Sequence, residues 1–146
     1  MSKGNVFCSD ILKLIFNATA IADLAQDDGS SPATTLTVAL HTSDPGESGT
    51  QSTNETAYTN YARVAVARTT GGWAVAGGDP DPASVSPVAA IDFAECGATP
   101  GAAITHFSVG TGVSNKLLYK GTVTPNITMA TGVIPRLTTA TAITED

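Results

Sequence analysis

The sequence predicts a mainly β protein, an antiparallel β-sandwich or jelly roll preceded by one amino-terminal α-helix, and three observations predict it. Apolar residues recur at three-and-four spacing only near the start of the chain. Beyond Pro32 they fall in short runs that alternate with Thr, Ser and Ala. Gly- and Pro-rich turns separate nearly all of those runs, and short strands at such spacing after a single helix point to packed antiparallel sheets.

The helix is expected over residues 5–26. Phe7, Ile11, Leu14, Ile15, Ala18, Ile21, Ala22 and Ala25 share one face, Asn5 or Ser9 caps its start, and Asp27-Asp28-Gly29 followed by Pro32 stops it. Cys8, Leu12, Phe16 and Leu24 lie off that stripe. They either widen the face that packs flat on a sheet or meet a partner subunit.

The first strand is expected over residues 34–42, where Thr35, Thr37, Ala39 and His41 alternate with Leu36, Val38 and Leu40. Ser43-Asp44-Pro45-Gly46 ends it. The polar loop over residues 46–59 follows, and a loop this long inside a compact domain is either functional or disordered. The functional version is an arm laid across a neighbouring subunit. Further strands are expected over 61–69, 73–75, 89–93, 103–109, 116–122, 126–129 and 140–144. The Asp79-Pro80-Asp81-Pro82 segment cannot sit in a central strand and reads as a rigid turn, with a two-carboxylate cation site as the second reading. No composition shift or repeat divides the chain, so residues 1–146 read as a single domain, helix first and β from 33 to 146.

Charged residues make up 14% of the 146 positions, against roughly 25% in ordinary globular proteins. Thr and Ala fill the difference. Such a surface carries little charge to hold neighbours apart and suits a protein packed against other protein. The net charge of −6, with seven Lys and Arg in no basic cluster, argues against a nucleic-acid partner. The sequence contains no run of about 18 apolar residues that would span a membrane. Asp10 and Lys13 interrupt the first apolar stretch, which therefore does not read as a secretory signal. Synthesis in the cytoplasm fits better. Cys8 and Cys96, far apart, form neither a disulfide framework nor a metal site and read as buried free thiols.

No catalytic constellation emerges. His41 and His106 each sit in or at the end of an alternating strand and read as half-buried sheet residues. Cys96 stands beside Glu95, whose charge opposes a thiolate. Asp92 and Glu95 are three apart and so fall on opposite strand faces. No His or Cys pair has ligand spacing, no Asp-rich loop matches a calcium site, and the Gly-rich turns lack the helix that would cradle a phosphate. The expectation is a structural or binding protein without enzymatic activity and without a cofactor or metal.

Several segments, in order, resemble a family of small tailed-phage virion proteins usually labelled tail-fibre-like and associated with head decoration, or cement. They are the apolar helix, "LTVALHTSDPGESGT", "YARVAVA", "VAAIDFAEC", "ITHFSVGTG", "KLLYKGTVT" and "TAITED". The resemblance implies a small helix-plus-β subunit on the outer surface of the phage head, with the major capsid protein and further copies of itself as partners. Asp44-Pro45-Gly46 and Tyr61-Ala62-Arg63 are then fold positions. On this reading the capsid contact is expected at Gly46, Glu47, Ser48, Gly49, Thr50, Gln51 and Asn54. Self-association, with a dimer as the default, is expected through Phe7, Ile11, Leu12 and Phe16. Deleting residues 46–59 is expected to leave the fold intact and weaken head binding. The alternative is a tail-fibre or tail-associated module that binds a receptor or glycan, which calls for aromatic residues exposed on one surface.

Overall fold

The computed structural model describes residues 5–21, 32–77, 82–111 and 115–145. Among them the fold is mainly β with one helix, as expected. The elements run α1 (Asn5–Asn17), β1 (Thr35–His41), β2 (Val64–Ala67), β3 (Trp73–Ala76), β4 (Ala83–Pro87), β5 (Ile91–Asp92), β6 (Ile104–Gly110), β7 (Leu117–Ile127), β8 (Arg136–Leu137) and β9 (Ile143–Glu145). They fall into two compact units. One takes the chain up to Thr35, Ala67–Ala90 and Thr138 onward; the other takes Leu36–Val66 and Ile91–Leu137. Each unit draws on segments distant in the chain, so no single point in the sequence marks a boundary.

The first unit is a helix laid on a three-stranded antiparallel sheet of order β3-β4-β9. In the central strand Ala83, Val85 and Pro87 are buried while Ser84 and Ser86 are half-buried, the period-2 signature of a sheet covered on one side. This strand was not expected, because Ser alternating with small apolar residues beside Pro82 resembles a turn. The Asp79-Pro80-Asp81 turn lies outside the described residues. Across the sheet, Trp73 faces Pro87 in register.

The buried side of α1 is the opposite of the expected one. Cys8, Leu12 and Phe16, spaced by four, are buried together with Ser9, whereas Phe7 is exposed and Ile11, Leu14 and Ile15 are half-buried. Phe16 meets Trp73 edge-to-face with ring centroids 4.9 Å apart. Enclosing Leu12 and Phe16 contributes about 1.5–3 kcal/mol each.

The helix also ends earlier than its apolar pattern. Asn17 is the last helical residue, and Ala18 adopts a left-handed φ of 54°. The turn is closed locally by the Thr19 amide, which donates to the Lys13 carbonyl at 3.1 Å, and also by a capping group from far along the chain. Arg68 donates from Nη2 to the Leu14 carbonyl and from Nε to the Ile15 carbonyl, both at 2.5 Å. In a continuing helix those two oxygens would accept the amides of Ala18 and Thr19, so the guanidinium takes over their role as well as the favourable place of a cation at a helix C-terminus. Ala18, Thr19 and Ala20 are exposed and outside the helix; the rest of the expected extension, 22–26, and the stop signals at Asp27-Asp28-Gly29 lie outside the described residues.

The second unit holds a four-stranded sheet of order β2-β1-β6-β7 and a two-stranded ribbon of β5 and β8. β1 and β6 pair antiparallel with Val38 opposite Val109, Leu40 opposite Phe107 and His41 opposite His106. Leu36, Val38 and Leu40 on one face of β1 are buried, as alternation predicts. Ala39 and His41 on the other face are buried too, which alternation does not predict. The expected strands over 116–122 and 126–129 merge into β7, whose Gly121 stands opposite Phe107. A Cβ at Gly121 would lie 2.8 Å from the Phe107 ring, so the glycine makes room for the aromatic. In the ribbon, Ile91 and Leu137 face inward. Asp92 and Arg136 form a two-pronged ion pair outward, with Nη2 to Oδ2 at 2.8 Å.

Candidate interaction surface

The second covered face of β1 is explained by the loop expected as a free arm. Residues 46–59 fold back over the side of the sheet formed by Thr37, Ala39 and His41 of β1 and Ser108 and Gly110 of β6. Gln51 is its anchor and is fully enclosed. Its amide nitrogen donates to the Thr37 carbonyl at 2.9 Å, and its amide oxygen accepts from the Thr37 hydroxyl at 2.7 Å. Gly110 supplies the space. A Cβ there would lie 2.3 Å from both the Gln51 Cδ and the Lys116 carbonyl oxygen.

The end of the loop returns beside β1 and puts Glu55 opposite His41. Thr42 N–H donates to the Asn54 carbonyl and Thr56 N–H to the Leu40 carbonyl, both at 2.9 Å. The Leu40 amide is satisfied by the Tyr61 phenol oxygen at 3.0 Å, and that phenol in turn donates to Glu55 Oε1 at 2.9 Å. Arg63 completes the knot by donating to both Glu55 oxygens at 2.7 Å and to Ser52 Oγ at 3.0 Å. Burial and the adjacent Glu55 charge push the Tyr61 phenol well above its ordinary value, and Glu55 likewise holds Arg63 protonated. Tyr61 and Arg63 are thus fold positions.

The tip of the loop is shaped by local hydrogen bonds. Asp44 Oδ1 accepts the Gly46 amide at 2.8 Å, with Gly46 at a φ of 75° that favours glycine. Asn54, itself left-handed at φ 54°, donates to the Asp44 carbonyl at 2.9 Å. Lys120 on β7 reaches Asp44 and Glu47, both at 3.1 Å. The Gly46 amide and the Lys120 ammonium hold the Asp44 carboxyl below the usual carboxylate range. Asn115 ties the middle of the loop by donating to Ser52 Oγ at 2.8 Å and Thr50 Oγ1 at 3.2 Å.

The seven residues expected as the capsid contact therefore separate. Glu47, Ser48, Thr50 and Asn54 face solvent, Gly46 and Gly49 are half-buried, and Gln51 points into its own unit. With exposed Ser52 they form a polar, weakly acidic face. The four residues expected for self-association separate as well. Leu12 and Phe16 are enclosed in their own unit, Ile11 is half-buried, and Phe7 is 41% exposed next to Val6 at 61%. Val88 and Ile134 are the other large apolar side chains exposed among the described residues.

His41, expected half-buried, is fully enclosed; His106 is half-buried and bonds the Thr105 hydroxyl at 2.8 Å. Cys8 and Cys96 are buried free thiols, as expected. Among the described residues, no three His, Cys, Asp or Glu side chains gather into a group that could hold a metal ion. No helix among them is long and apolar enough to cross a membrane.

The chain is thus a mainly β subunit with one short helix that presents a braced polar loop. The family described as podophage GP4 fiber I protein gp80 matches residues 9–144, and the chain belongs to that family. It is accordingly a structural protein of the tailed-phage virion. Among curated proteins, none matches the chain.

Proposed function

We propose that this chain is a non-enzymatic attachment subunit of the phage particle, acting through protein–protein contact and not through glycan recognition. The observation that carries this reading is where the aromatic side chains go. Phe16, Tyr58, Trp73, Phe93 and Phe107 are buried, and Tyr61 and Tyr119 are half-buried. A sugar-binding surface stacks exposed rings on its ligand, and Phe7 is the one exposed aromatic side chain among the described residues. The outward residues of the 46–59 loop instead offer hydroxyl, amide and carboxylate groups on a braced backbone. Such a face suits a contact of standard size, on the order of 1,200–2,000 Å² in total.

Two seats in the particle fit an attachment subunit. The family description, which belongs to the podophage GP4 protein, favours a place in a fibre. The sequence resemblance to cement proteins supports the second seat, on the outer surface of the head. There the chain would clamp neighbouring copies of the major capsid protein against internal pressure. In either seat Val6 and Phe7 are the residues offered for contact with a second copy of the chain.

Copy number per particle separates the two seats. Densitometry of purified virions against the major capsid band is expected to give a few per cent for a fibre. A ratio near one, or a simple fraction of it, would move the chain to the head. Absence of the chain from purified particles would overturn both.

A further inference from the structure

We propose that His41 is an acid-sensitive latch, whose protonation releases the 46–59 loop from the β1–β6 sheet while the sheet itself persists. The geometry of its two ring nitrogens carries the argument. Nδ1 lies 2.9 Å from the Thr53 carbonyl oxygen, which can only accept, so Nδ1 holds the ring's proton. Nε2 is then a bare lone pair, and the Ser108 hydroxyl donates to it at 2.7 Å. The loop is thus joined to β1 through the Thr53 carbonyl and to β6 through Ser108, with a neutral imidazole between them.

The direction of this chain of bonds is fixed from its far side. Gln51 turns its oxygen to the Thr37 hydroxyl and its nitrogen to the Thr37 carbonyl, at 2.7 and 2.9 Å. The same nitrogen is the atom that faces Ser108 Oγ, at 3.5 Å. Ser108 therefore meets a donor on that side. If Nε2 gains a proton, it must donate to Ser108 Oγ, and the displaced hydroxyl proton finds no acceptor in Gln51. Ser108 is fully enclosed, so bulk water does not supply one. Protonation places a positive charge and a frustrated hydroxyl in a dry site, and opening the loop relieves both.

The charged and titratable groups around the ring do not reverse this. Glu55 of the loop favours the imidazolium, but its carboxylate is already held by both prongs of Arg63 and by Tyr61. Arg63, before β2, and His106, opposite on β6, both oppose it. Burial is the leading influence and holds the His41 ring below the ordinary histidine value of 6.5, against the Thr53 carbonyl and Glu55, which raise it. A ring freed by loop opening regains that ordinary value. The open form then binds the proton more readily, so the closed loop is fully stable above the histidine range and is lost as pH falls below it. The ties at the tip do not share that window, since Asp44 is held below the usual carboxylate range and remains charged there.

The test is an NMR titration of the isolated protein from pH 8 to 5, which requires no partner and stands apart from where the chain sits in the particle. The His41 ring carbon signals are expected to titrate below pH 6.5. Amide exchange at Thr42 and Thr56, corrected for its intrinsic rate, should accelerate by up to roughly tenfold per pH unit between the ordinary histidine value and that midpoint, and level off below it. Protection at Val109 on β6 should hold. His106→Gln should keep the whole profile and His41→Gln should flatten it. If His41→Gln does not fold, coincidence of the His41 ring midpoint with the loop transition in the wild-type protein and in His106→Gln decides. Loop amides that stay protected while His41 titrates, that follow the His106 ring instead, or that are lost together with Val109 would overturn the proposal.

Discussion

On one face of β1, Leu36, Val38 and Leu40 stand in a row beside Val109 and Phe107, the cross-strand partners of Val38 and Leu40; on the other, Thr37 and His41 stand under a polar loop beside Ser108 and Gly110. Both faces exclude water, yet they do so by different physics. The apolar face gains from area alone, is non-directional, and accommodates substitutions that conserve volume. The polar face gains little net energy per bond, but every donor there must meet an acceptor. The difference teaches that burial in this unit is extended by a loop that carries its own hydrogen-bond partners inward, beyond what the strand pattern requires.

Deleting residues 46–59 should break the comparison most severely. It strips the cover from Ala39, His41 and Ser108, removes Gln51 and Tyr58 from the interior, and leaves Arg63 without Glu55. The expected outcome is loss of a cooperative unfolding transition by calorimetry, contrary to the expectation from sequence that the fold would survive. Leu40→Ala tests the apolar face alone and should cost about 2–5 kcal/mol in urea unfolding, in line with large-to-small core substitutions.

Gly110→Ala tests the join between loop and sheet. Its methyl would meet the Lys116 backbone as well as the Gln51 side chain, and backbone cannot swing aside. A cost of about 1–3 kcal/mol is expected. Gln51→Leu keeps similar bulk but removes the bonds to the Thr37 carbonyl and hydroxyl, leaving the hydroxyl only its longer bond to the Gly110 carbonyl at 3.3 Å, for a loss of about 1–3 kcal/mol. A neutral result there would show that the polar face is held by shape and not by hydrogen bonding. The smallest effect on stability is expected from Ser48→Arg, because that side chain faces solvent and none of the ties that brace the loop runs through it. Melting should be unchanged, while rebinding to particles that lack the protein should weaken if this face is the contact.

What the sequence reveals about this molecule is what repeats locally. The alternation expected over residues 34–42 and 103–109 locates β1 and β6 to within a residue at each end, Trp73 opens β3 where expected, and the inward alternation of Leu36, Val38 and Leu40 holds. Features created by distant partners stay hidden. The capping of the Leu14 and Ile15 carbonyls depends on Arg68, the burial of His41 on Thr53 and Ser108, and the inward turn of Gln51 on the empty volume at Gly110. β4 escaped because Ala83, Ser84, Val85 and Ser86 next to two prolines carry little hydrophobic signal until α1 covers them. At the candidate surface, polar composition singles out residues 46–59. It could not distinguish the outward Glu47 and Thr50 from the inward Gln51, since all three are polar and differ only in what lies beneath them.

The Arg68 cap also has a consequence for the order of events as the chain is made. Leu14 and Ile15 leave the ribosome 54 and 53 residues ahead of the arginine that closes their carbonyls. At about 5–20 residues per second, that interval is on the order of 3–10 s. Through it, the last turn of α1 can be hydrated but not sealed, and Leu12 and Phe16 have neither β3 nor β4 to cover them. The nascent helix thus waits for partners made well after it, and a holding chaperone would find there an apolar stripe to grip.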